Sequence, residues 1–299
     1  MDTLDALQRQ VEAADQLYLV VRVMKSLAAA SIRQFERAAQ AMDEFRDAVE
    51  LALAVALRGV DLGTEREFRT TGVGRGAIVV GSDQGMCGAF NAHVAAHAFA
   101  ALRETEPVGE TGPPPVVIAI GSRAASRLSD LGLEPAEILR SPTSADRIAA
   151  LVQELLVRLD ALRSRGVGTV LVAFNQHVAR AGFEPRHLRL LPFDRAWAAR
   201  IQARPWPSRW QPIFTDARPR FLGSILSQHL FSTLHLALAS SLASEQASRL
   251  ASMQAAQRNI EERVASLRAS LRARRQDDID AELMDIMAGF EAMRDEPNG

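Results

Sequence analysis

One loop of the sequence has the position that phosphate-binding loops occupy. It runs from Gly81 to Gly88 (GSDQGMCG), after a short apolar run that predicts a buried strand and before a pattern that predicts a helix. The loop has neither the G-x-G-x-x-G spacing of dinucleotide-binding turns nor the G-K-[ST] ending of nucleoside triphosphate loops. Asp83 would also repel a phosphate group. The loop is therefore predicted to be structural, with a nucleotide site as the alternative.

Three other groups of side chains could do chemistry. Cys87 has no adjacent basic residue or histidine to lower its thiol pKa, so a packed thiol is favoured over a nucleophile. His93 and His97 are four residues apart on a predicted helix, but no third metal ligand lies nearby in the sequence, and surface histidines are favoured. The arginines between Arg272 and Arg275 are typical of a solvated helix face. The sequence thus predicts no catalytic centre, no metal and no cofactor.

A long helical pattern ends the chain, from about Phe221 to Phe290. Neither glycine nor proline occurs between Ser224 and Ala288. Apolar residues recur every three or four positions, which keeps them on one side of a helix. They are Leu222, Leu226, Leu230, Leu234, Leu238, Leu242, Leu250, Met253, Ile260, Val264, Leu267 and Leu271. At about 1.5 Å per residue, roughly 70 residues span roughly 105 Å, which is wider than a compact domain of this size, so the helix needs a partner helix.

The partner helix is predicted at the other end of the chain. Its apolar residues step by threes and fours through Leu4, Leu7, Val11, Ala14, Tyr18 and Val21. No glycine or proline interrupts the pattern before Gly59, and the spacing is that of a left-handed coiled-coil seam. If the end of the first helix lies beside the start of the last helix, residues that face each other in this antiparallel pair have numbers that sum to about 274. That register places Ala29 opposite Glu245 and leaves everything from Arg274 onward without a partner helix.

Between the two helices, short apolar runs alternate with helical patterns. The strand candidates are Ala77–Val80, Val116–Ile120, Thr169–Ala173 and Leu188–Leu191, and the helix candidates are Asn91–Arg103, Arg123–Leu131 and Ala145–Arg163. This alternation predicts a layered α/β domain. The predicted fold class is α/β plus a long helical hairpin: an antiparallel coiled coil of the N- and C-terminal helices with an inserted Rossmann-like α/β domain. Its parts are residues 1–60, 70–212 and 216–292.

Composition excludes several classes of protein. Apolar residues make up 47% and charged residues 24% of the chain, which are globular values. The formal net charge of −1 gives no general attraction to nucleic acid or to an anionic membrane. A single cysteine excludes an internal disulfide, and Asp2 and Asp5 stand where a signal peptide would be basic. The apolar run from Ile225 to Ala243 contains Gln228, two histidines and several serines, so no membrane insertion is expected.

Four motifs follow one another along the chain. They are Val23–Ala30 (VMKSLAAA), Ser82–Asn91 (SDQGMCGAFN), Ala243–Arg249 (ASEQASR) with Met253 and Asn259, and Arg274–Gln276 followed by Ile279, Glu282, Leu283, Asp285 and Gly289. In this order they resemble the signatures of the γ subunit of F-type ATP synthases. The resemblance covers nearly the whole chain, and the fold of that family is the one predicted above.

The resemblance implies a mechanical function. The hairpin would be the central shaft inside a hexamer of three α and three β subunits, and the α/β domain would sit at its foot on the membrane c-ring, with the ε subunit as a further partner. Ion flow would turn ring and shaft, and the shaft would drive the β sites through ATP synthesis or hydrolysis. The subunit would be non-catalytic, without a cofactor, and peripheral, at the cytoplasmic face of the inner (plasma) membrane.

The resemblance also implies site residues. Contacts from the shaft to β are expected at Met24, Lys25 and Arg249 on its lower part and at Arg275, Gln276 and Glu282 higher up. The signature loop, which we define as Ser82–Asn91, is expected to face the stator or the foot. Its characteristic residues are Ser82, Asp83, Gly85, Cys87, Gly88 and Asn91.

Several positions depart from the family pattern. Asp280 stands where threonine is usual, Phe290 where alanine is usual, and Gln84 and Met86 where arginine and leucine are common. Customary residues are also missing around Ala13–Gln16. These departures indicate a divergent branch, in a main or an accessory ATPase. Two alternatives stay open: a free-standing α/β enzyme with a helical dimerisation arm, which needs a polar catalytic constellation, and a coiled-coil scaffold, which does not need the four motifs.

Overall fold

The computed structural model describes residues 4–69, 72–105, 113–178, 182–209 and 218–294. Contacts divide the chain into two units. We call Ala28–Leu250 the central unit, and Met1–Leu27 with Ala251–Gly299 the terminal unit. This division cuts across both long helices, so the three-part division predicted from the sequence stays a prediction.

Six helices and five strands occur in the described residues. The helices are α1 (Leu4–Ala56), α2 (Phe90–Glu104), α3 (Ser122–Asp130), α4 (Ile148–Ser164), α5 (Arg195–Gln202) and α6 (Arg218–Arg294). The strands are β1 (Gly74–Val80), β2 (Val116–Ile120), β3 (Glu137–Leu139), β4 (Val167–Val178) and β5 (Gly182–Leu191). The sequence predicted all of these elements except β3 and α5. The described part of the chain contains no helix that is apolar over a long enough stretch to cross a membrane.

Helix α1 buries a seam with a period of seven residues. Its seam residues are Leu7, Ala14, Val21, Ala28, Phe35, Met42 and Val49, all buried or half-buried. On α6, Met253, Ile260 and Leu267 repeat the same period. A seven-residue repeat keeps one stripe facing a partner helix in a left-handed coiled coil, so the predicted seam is confirmed.

Polar contacts join the two antiparallel helices of the terminal unit. Lys25 Nζ donates to Gln257 Oε1 at 2.7 Å, and Gln257 Nε2 donates to the Tyr18 hydroxyl at 3.4 Å. Arg268 Nη2 donates to both carboxylate oxygens of Asp15, at 2.8 and 3.1 Å. The contacts of Lys25 and Asp15 lie about two helical turns further along α6 than the predicted register. The Tyr18–Gln257 contact, whose residue numbers sum to 275, agrees with the predicted register, so the register stays a prediction.

The last part of α6 is uncovered. Every described side chain from Arg275 to Ala288 is exposed, which confirms the predicted overhang. Its large apolar side chains are Ile279, Leu283, Met284, Ile286 and Met287, with exposed fractions between 52% and 66%. The side chain of Phe290, which was predicted to belong to this row, lies outside the described residues.

The strands of the central unit form one sheet in the order β3-β2-β1-β4-β5. The first four strands are parallel, and β5 is antiparallel to β4. Alternate residues of β1 face opposite cores: Ala77 and Val79 pack with α2 and α3, whereas Ile78 and Val80 pack with α4 and the two long helices. A parallel sheet covered by helices on both faces confirms the predicted Rossmann-like domain.

Candidate functional site: the joint between the last helix and the sheet

The candidate site lies where α6 meets the carboxyl ends of β1 and β4. The chain leaves β1 towards β2 on one side and returns as β4 on the other. In open α/β sheets this change of direction leaves a crevice at the carboxyl ends of the strands, where ligands bind. Here Ser241 Oγ donates to the carbonyl oxygen of Val80 at 3.3 Å. Ser244 Oγ lies 3.0 Å from the carbonyl oxygen of Asn175 and 2.8 Å from that of Ser240 on its own helix, so the two acceptors share its one proton. The crevice is therefore filled by a helix of the same chain.

A third serine continues this row. Ser248 Oγ donates to the carbonyl oxygen of Cys87 at 2.6 Å. Residues 241, 244 and 248 are spaced by three and four, so their side chains lie on one face of α6. We call these three serines and their three acceptors the joint. Hydrogen bonds are directional, whereas apolar packing is not, so the joint fixes the rotation of α6 about its own axis relative to the sheet.

The signature loop is closed by its own polar side chains. Asn91 Oδ1 accepts from the backbone amide of Ser82 at 2.9 Å, and Asn91 Nδ2 donates to Ser82 Oγ at 2.8 Å. Ser82 Oγ in turn donates to the carbonyl oxygen of Gln84 at 2.8 Å. Ser82, Cys87 and Asn91 are buried, whereas Gln84 and Met86, the two departures from the family pattern, are exposed. The matching residues therefore hold the loop, and the differing ones form its surface.

Asp83 acts as an anion built into the fold. Its Oδ1 accepts from the backbone amide of Ser122, the first residue of α3, and its Oδ2 accepts from that of Ser141, both at 2.9 Å. The amino end of a helix is where a bound phosphate would sit in a domain of this class. Since the Asp83 carboxylate occupies these amides, the sequence-based preference for a structural loop is supported by a contact.

Two glycines next to the loop allow its close packing. A side chain on Gly81 would place its Cβ 2.2 Å from the Cβ of Ala124. Gly121 has a φ of +94°, and a Cβ there would lie 2.5 Å from the carbonyl carbon of Ser82. Within the loop, Gly88 has a positive φ of 58°. Gly85 has free space around its Cα, so crowding does not explain it.

Cys87 is a packed thiol. It is buried, and burial raises the pKa of its thiol, with Glu245 adding to that effect, although Ser82 and Arg249 act in the opposite direction. The protonated thiol is the less reactive form. This agrees with the sequence-based preference for a structural cysteine.

A buried ion pair lies beside the joint. Arg249 Nη2 contacts Glu245 Oε1 at 2.7 Å, and the two side chains are only 8% and 7% exposed. Burial raises the pKa of Glu245 more than Arg249 lowers it, and the nearby Asp83 raises it further. The pair therefore lies close enough to the signature loop for the charge of Asp83 to act on Glu245. Arg249 was predicted to contact the β subunit, but its burial leaves it little surface for a direct contact.

The other predicted contact residues lie in the terminal unit. Met24 and Lys25 are half-buried against α6, where Lys25 bonds Gln257. Arg275, Gln276 and Glu282 are exposed on the overhang. Gln276 Nε2 donates to Asp280 Oδ1 at 2.9 Å. The exposed residues of this set are available to a partner, and their contacts stay predictions.

Sequence reasoning missed the joint. The serines at 241, 244 and 248 stand within an apolar helical pattern, where a serine is unremarkable. One signal was present in the sequence. Ser241 and Ser244 follow the three- and four-residue steps of the apolar residues, which predicts that they lie on the buried side of the helix. Buried hydroxyl groups need partners, so their position already called for acceptors on a neighbouring element.

Comparison with known protein families gives a match over nearly the whole chain. The family model described as ATP synthase matches residues 3–293. A curated ATP synthase gamma chain from Synechococcus sp. (strain JA-3-3Ab) is 26% identical over 205 residues, which are 65% of this chain and 62% of that relative. The gamma chain of Polaromonas sp. (strain JS666) is 22% identical over 232 residues, 77% of this chain and 78% of the relative. The chain thus matches less than two thirds of the length of the first relative.

Solved structures share the fold. A chain of the Euglena gracilis mitochondrial ATP synthase (OSCP/F1/c-ring, rotational state 3) superimposes with a TM-score of 0.65, covering 99% of this chain and 98% of that one at 14% identity. A chain of the Tetrahymena thermophila mitochondrial ATP synthase (central stalk/c-ring) gives a TM-score of 0.52, covering 79% and 99% at 18% identity. The family resemblance inferred from the four motifs is confirmed: the chain belongs to the ATP synthase family, in which the curated relatives named above are gamma chains.

Proposed function

We propose that this chain is the central-stalk shaft of a rotary ATP synthase. Its long helices would turn inside a hexamer of α and β subunits, and its α/β domain would contact the c-ring and the ε subunit. Rotation driven by ion flow would then be converted into ATP synthesis, or the reverse. The two structural relatives belong to assemblies described as OSCP/F1/c-ring and as central stalk/c-ring, which supports these partners.

The observation that carries the proposal is the apolar surface of the terminal unit. On α1, the exposed large apolar residues are Leu17, Leu19, Val20, Val23 and Leu27, with exposed fractions between 53% and 63%. The overhang of α6 adds the five exposed apolar residues from Ile279 to Met287. Groups of exposed apolar side chains such as these two mark interaction sites on protein surfaces. The surrounding hexamer of α and β subunits would cover these residues.

The same proposal assigns the predicted contacts. Met24, Lys25, Arg275, Gln276 and Glu282 would touch the β subunits. Arg249 would act indirectly, through Glu245 and the signature loop. The chain would lie at the cytoplasmic face of the inner (plasma) membrane as a peripheral subunit, and its departures from the family pattern would mark a divergent branch, in a main or an accessory ATPase.

We expect the isolated chain to bind no ATP and to hydrolyse none. Asp83 occupies the amide at the amino end of α3 and a loop amide at Ser141, and Ser241 and Ser244 fill the crevice between β1 and β4. Equilibrium dialysis of the purified chain against ATP and Mg²⁺ measures this directly, with the complex assembled from α, β and this chain as the positive control. Stoichiometric binding at micromolar ATP by the isolated chain would show that the domain is a nucleotide site.

We expect Arg275→Glu to change the ATPase rate of the assembled complex without preventing assembly. Arg275 is exposed on the overhang, glutamate is compatible with a helix, and a charge-assisted contact to β would be reversed. A contact of about 1 kcal/mol changes a rate roughly fivefold. Arg272→Glu, three residues away and also exposed, is the matched control. A rate equal to that of the parent would make Arg275 a solvated residue.

A further inference from the structure

Two histidines meet across α2 and β5 in the central unit. His97 Nε2 lies 3.0 Å from His187 Nδ1, and the ring centroids are 5.1 Å apart. This is a different pair from the i, i+4 pair suggested by the sequence. His93 instead packs its ring 5.6 Å from the ring of Phe183. The shaft function does not use this pair of imidazoles, so its chemistry needs a separate explanation.

The distance between the two nitrogens fits a bridging metal ion. A divalent transition metal binds imidazole nitrogen at about 2.0–2.1 Å. When the angle between two such bonds at the metal is a right angle, the two nitrogens are about 2.9 Å apart. The same bonds at a tetrahedral angle would place them about 3.4 Å apart. The observed 3.0 Å, at which the two imidazoles also share a hydrogen bond, lies between these two values, so the two nitrogens are close enough to bind one divalent transition-metal ion. His187 is exposed, so its ring can turn until both lone pairs point at one ion.

We propose that His97 and His187 form a two-histidine site for a divalent transition-metal ion of the kind that imidazole binds, such as Ni²⁺, held between α2 and β5. Among residues 4–69, 72–105, 113–178, 182–209 and 218–294, no three or more His, Cys, Asp or Glu side chains come together as metal ligands. The protein therefore supplies two ligands, and water fills the remaining positions. The ion would link β5, the outer strand of the sheet, to α2, the helix that covers it.

Two nearby carboxylates offset part of the cost of placing a positive charge beside His97. Burial and the neighbouring His187 lower the pKa of His97, so that its imidazole is neutral and free to bind metal at neutral pH. Glu104 on α2 and Glu184 on β5 act on His97 in the opposite direction, because their negative charges stabilise any positive charge placed there. A metal ion gains the same attraction. Protons compete for the same nitrogens, so binding falls below about pH 6.5.

The test is a titration of the whole chain, without a polyhistidine tag and after treatment with chelator, with NiCl₂ at pH 7.5. Calorimetry should show one ion per chain, and the melting temperature should rise by roughly 3 °C or more at a hundredfold excess over the dissociation constant. His97→Gln and His187→Gln should each weaken binding at least about tenfold. His93→Ala is the matched control on the same helix and should bind as the parent does. MgCl₂ should give no response.

Three results would overturn the proposal. The first is no nickel binding by the parent chain, which would leave the pair as an ordinary hydrogen bond between imidazoles. The second is equal binding by the parent and His97→Gln, which would place the ion elsewhere. The third is an equal loss in His93→Ala, which would identify the i, i+4 pair on α2 as the site. None of these outcomes depends on whether the chain works as a rotor shaft.

Discussion

Replacement of Glu245 by alanine is expected to lower the free energy of unfolding by about 3 kcal/mol. The substitution leaves the guanidinium of Arg249 buried without its partner carboxylate, while Arg249 Nε already has no hydrogen-bond partner among the residues that the structure describes. An unpaired buried charge costs far more than the pair contributes, since burial already raises the pKa of Glu245 against the attraction of Arg249. Urea denaturation of the free chain measures the difference.

A double replacement distinguishes the loss of the whole ion pair from the loss of one of its two charges. Glu245→Leu combined with Arg249→Met removes both charges and keeps the volume, so the double variant should unfold within about 1 kcal/mol of the parent. Glu262→Ala, at an exposed position of the same helix, should change stability by less than about 0.5 kcal/mol. If Glu245→Ala lowers the free energy of unfolding by no more than Glu262→Ala does, the ion pair does not contribute to the stability of the fold.

Removal of the three hydroxyl groups of the joint is expected to uncouple rotation from ion transport. This prediction depends on the proposed function. In a complex that carries Ser241→Ala, Ser244→Ala and Ser248→Ala together, three hydrogen bonds of about 1 kcal/mol each are lost, while the apolar packing of α6 remains. The helix could then turn against the sheet under torque. We expect ATP hydrolysis to continue and the ions pumped per ATP to fall by at least about half.

The ratio of pumping to hydrolysis is the measurement, made in reconstituted vesicles. Ser224→Ala with Ser227→Ala, at exposed positions of the same helix, should leave the ratio unchanged. If the triple variant does not assemble, Ser248→Ala alone removes the shortest of the three bonds and should lower the ratio to a smaller extent. A normal ratio in an assembled triple variant would show that apolar packing alone transmits the torque.

The long helices and most of the sheet could be predicted because their signals are local. A seam with a period of seven residues is visible in α1 from the residue types alone. The bounds of β2, Val116–Ile120, agree with the sequence because glycine and prolines limit that apolar run. Strand β3 was missed because three residues are too few to show a period. Helix α5 was missed because its eight residues, between Pro192 and Pro205, are too few to show a clear helical period.

The chemistry of the site could not be predicted because its partners are distant in sequence. Asp83 bonds the amides of Ser122 and Ser141, 39 and 58 residues away. Ser241 reaches a strand that lies 161 residues earlier. The His97–His187 pair depends on the way β5 turns back along β4. Only the family resemblance, which rests on motifs rather than on periodicity, indicated that the loop and the last helix belong to one function.

Direct observation of rotation tests the central claim. The complex of this chain with its α and β subunits is fixed to a surface through β, and a bead is attached to a cysteine introduced at Ser126, an exposed position of α3. Cys87 is buried and does not compete for the label. A shaft inside a threefold hexamer should turn in one direction on addition of ATP, in steps of about 120°. An assembled complex that hydrolyses ATP while the bead stays still would contradict the proposed function.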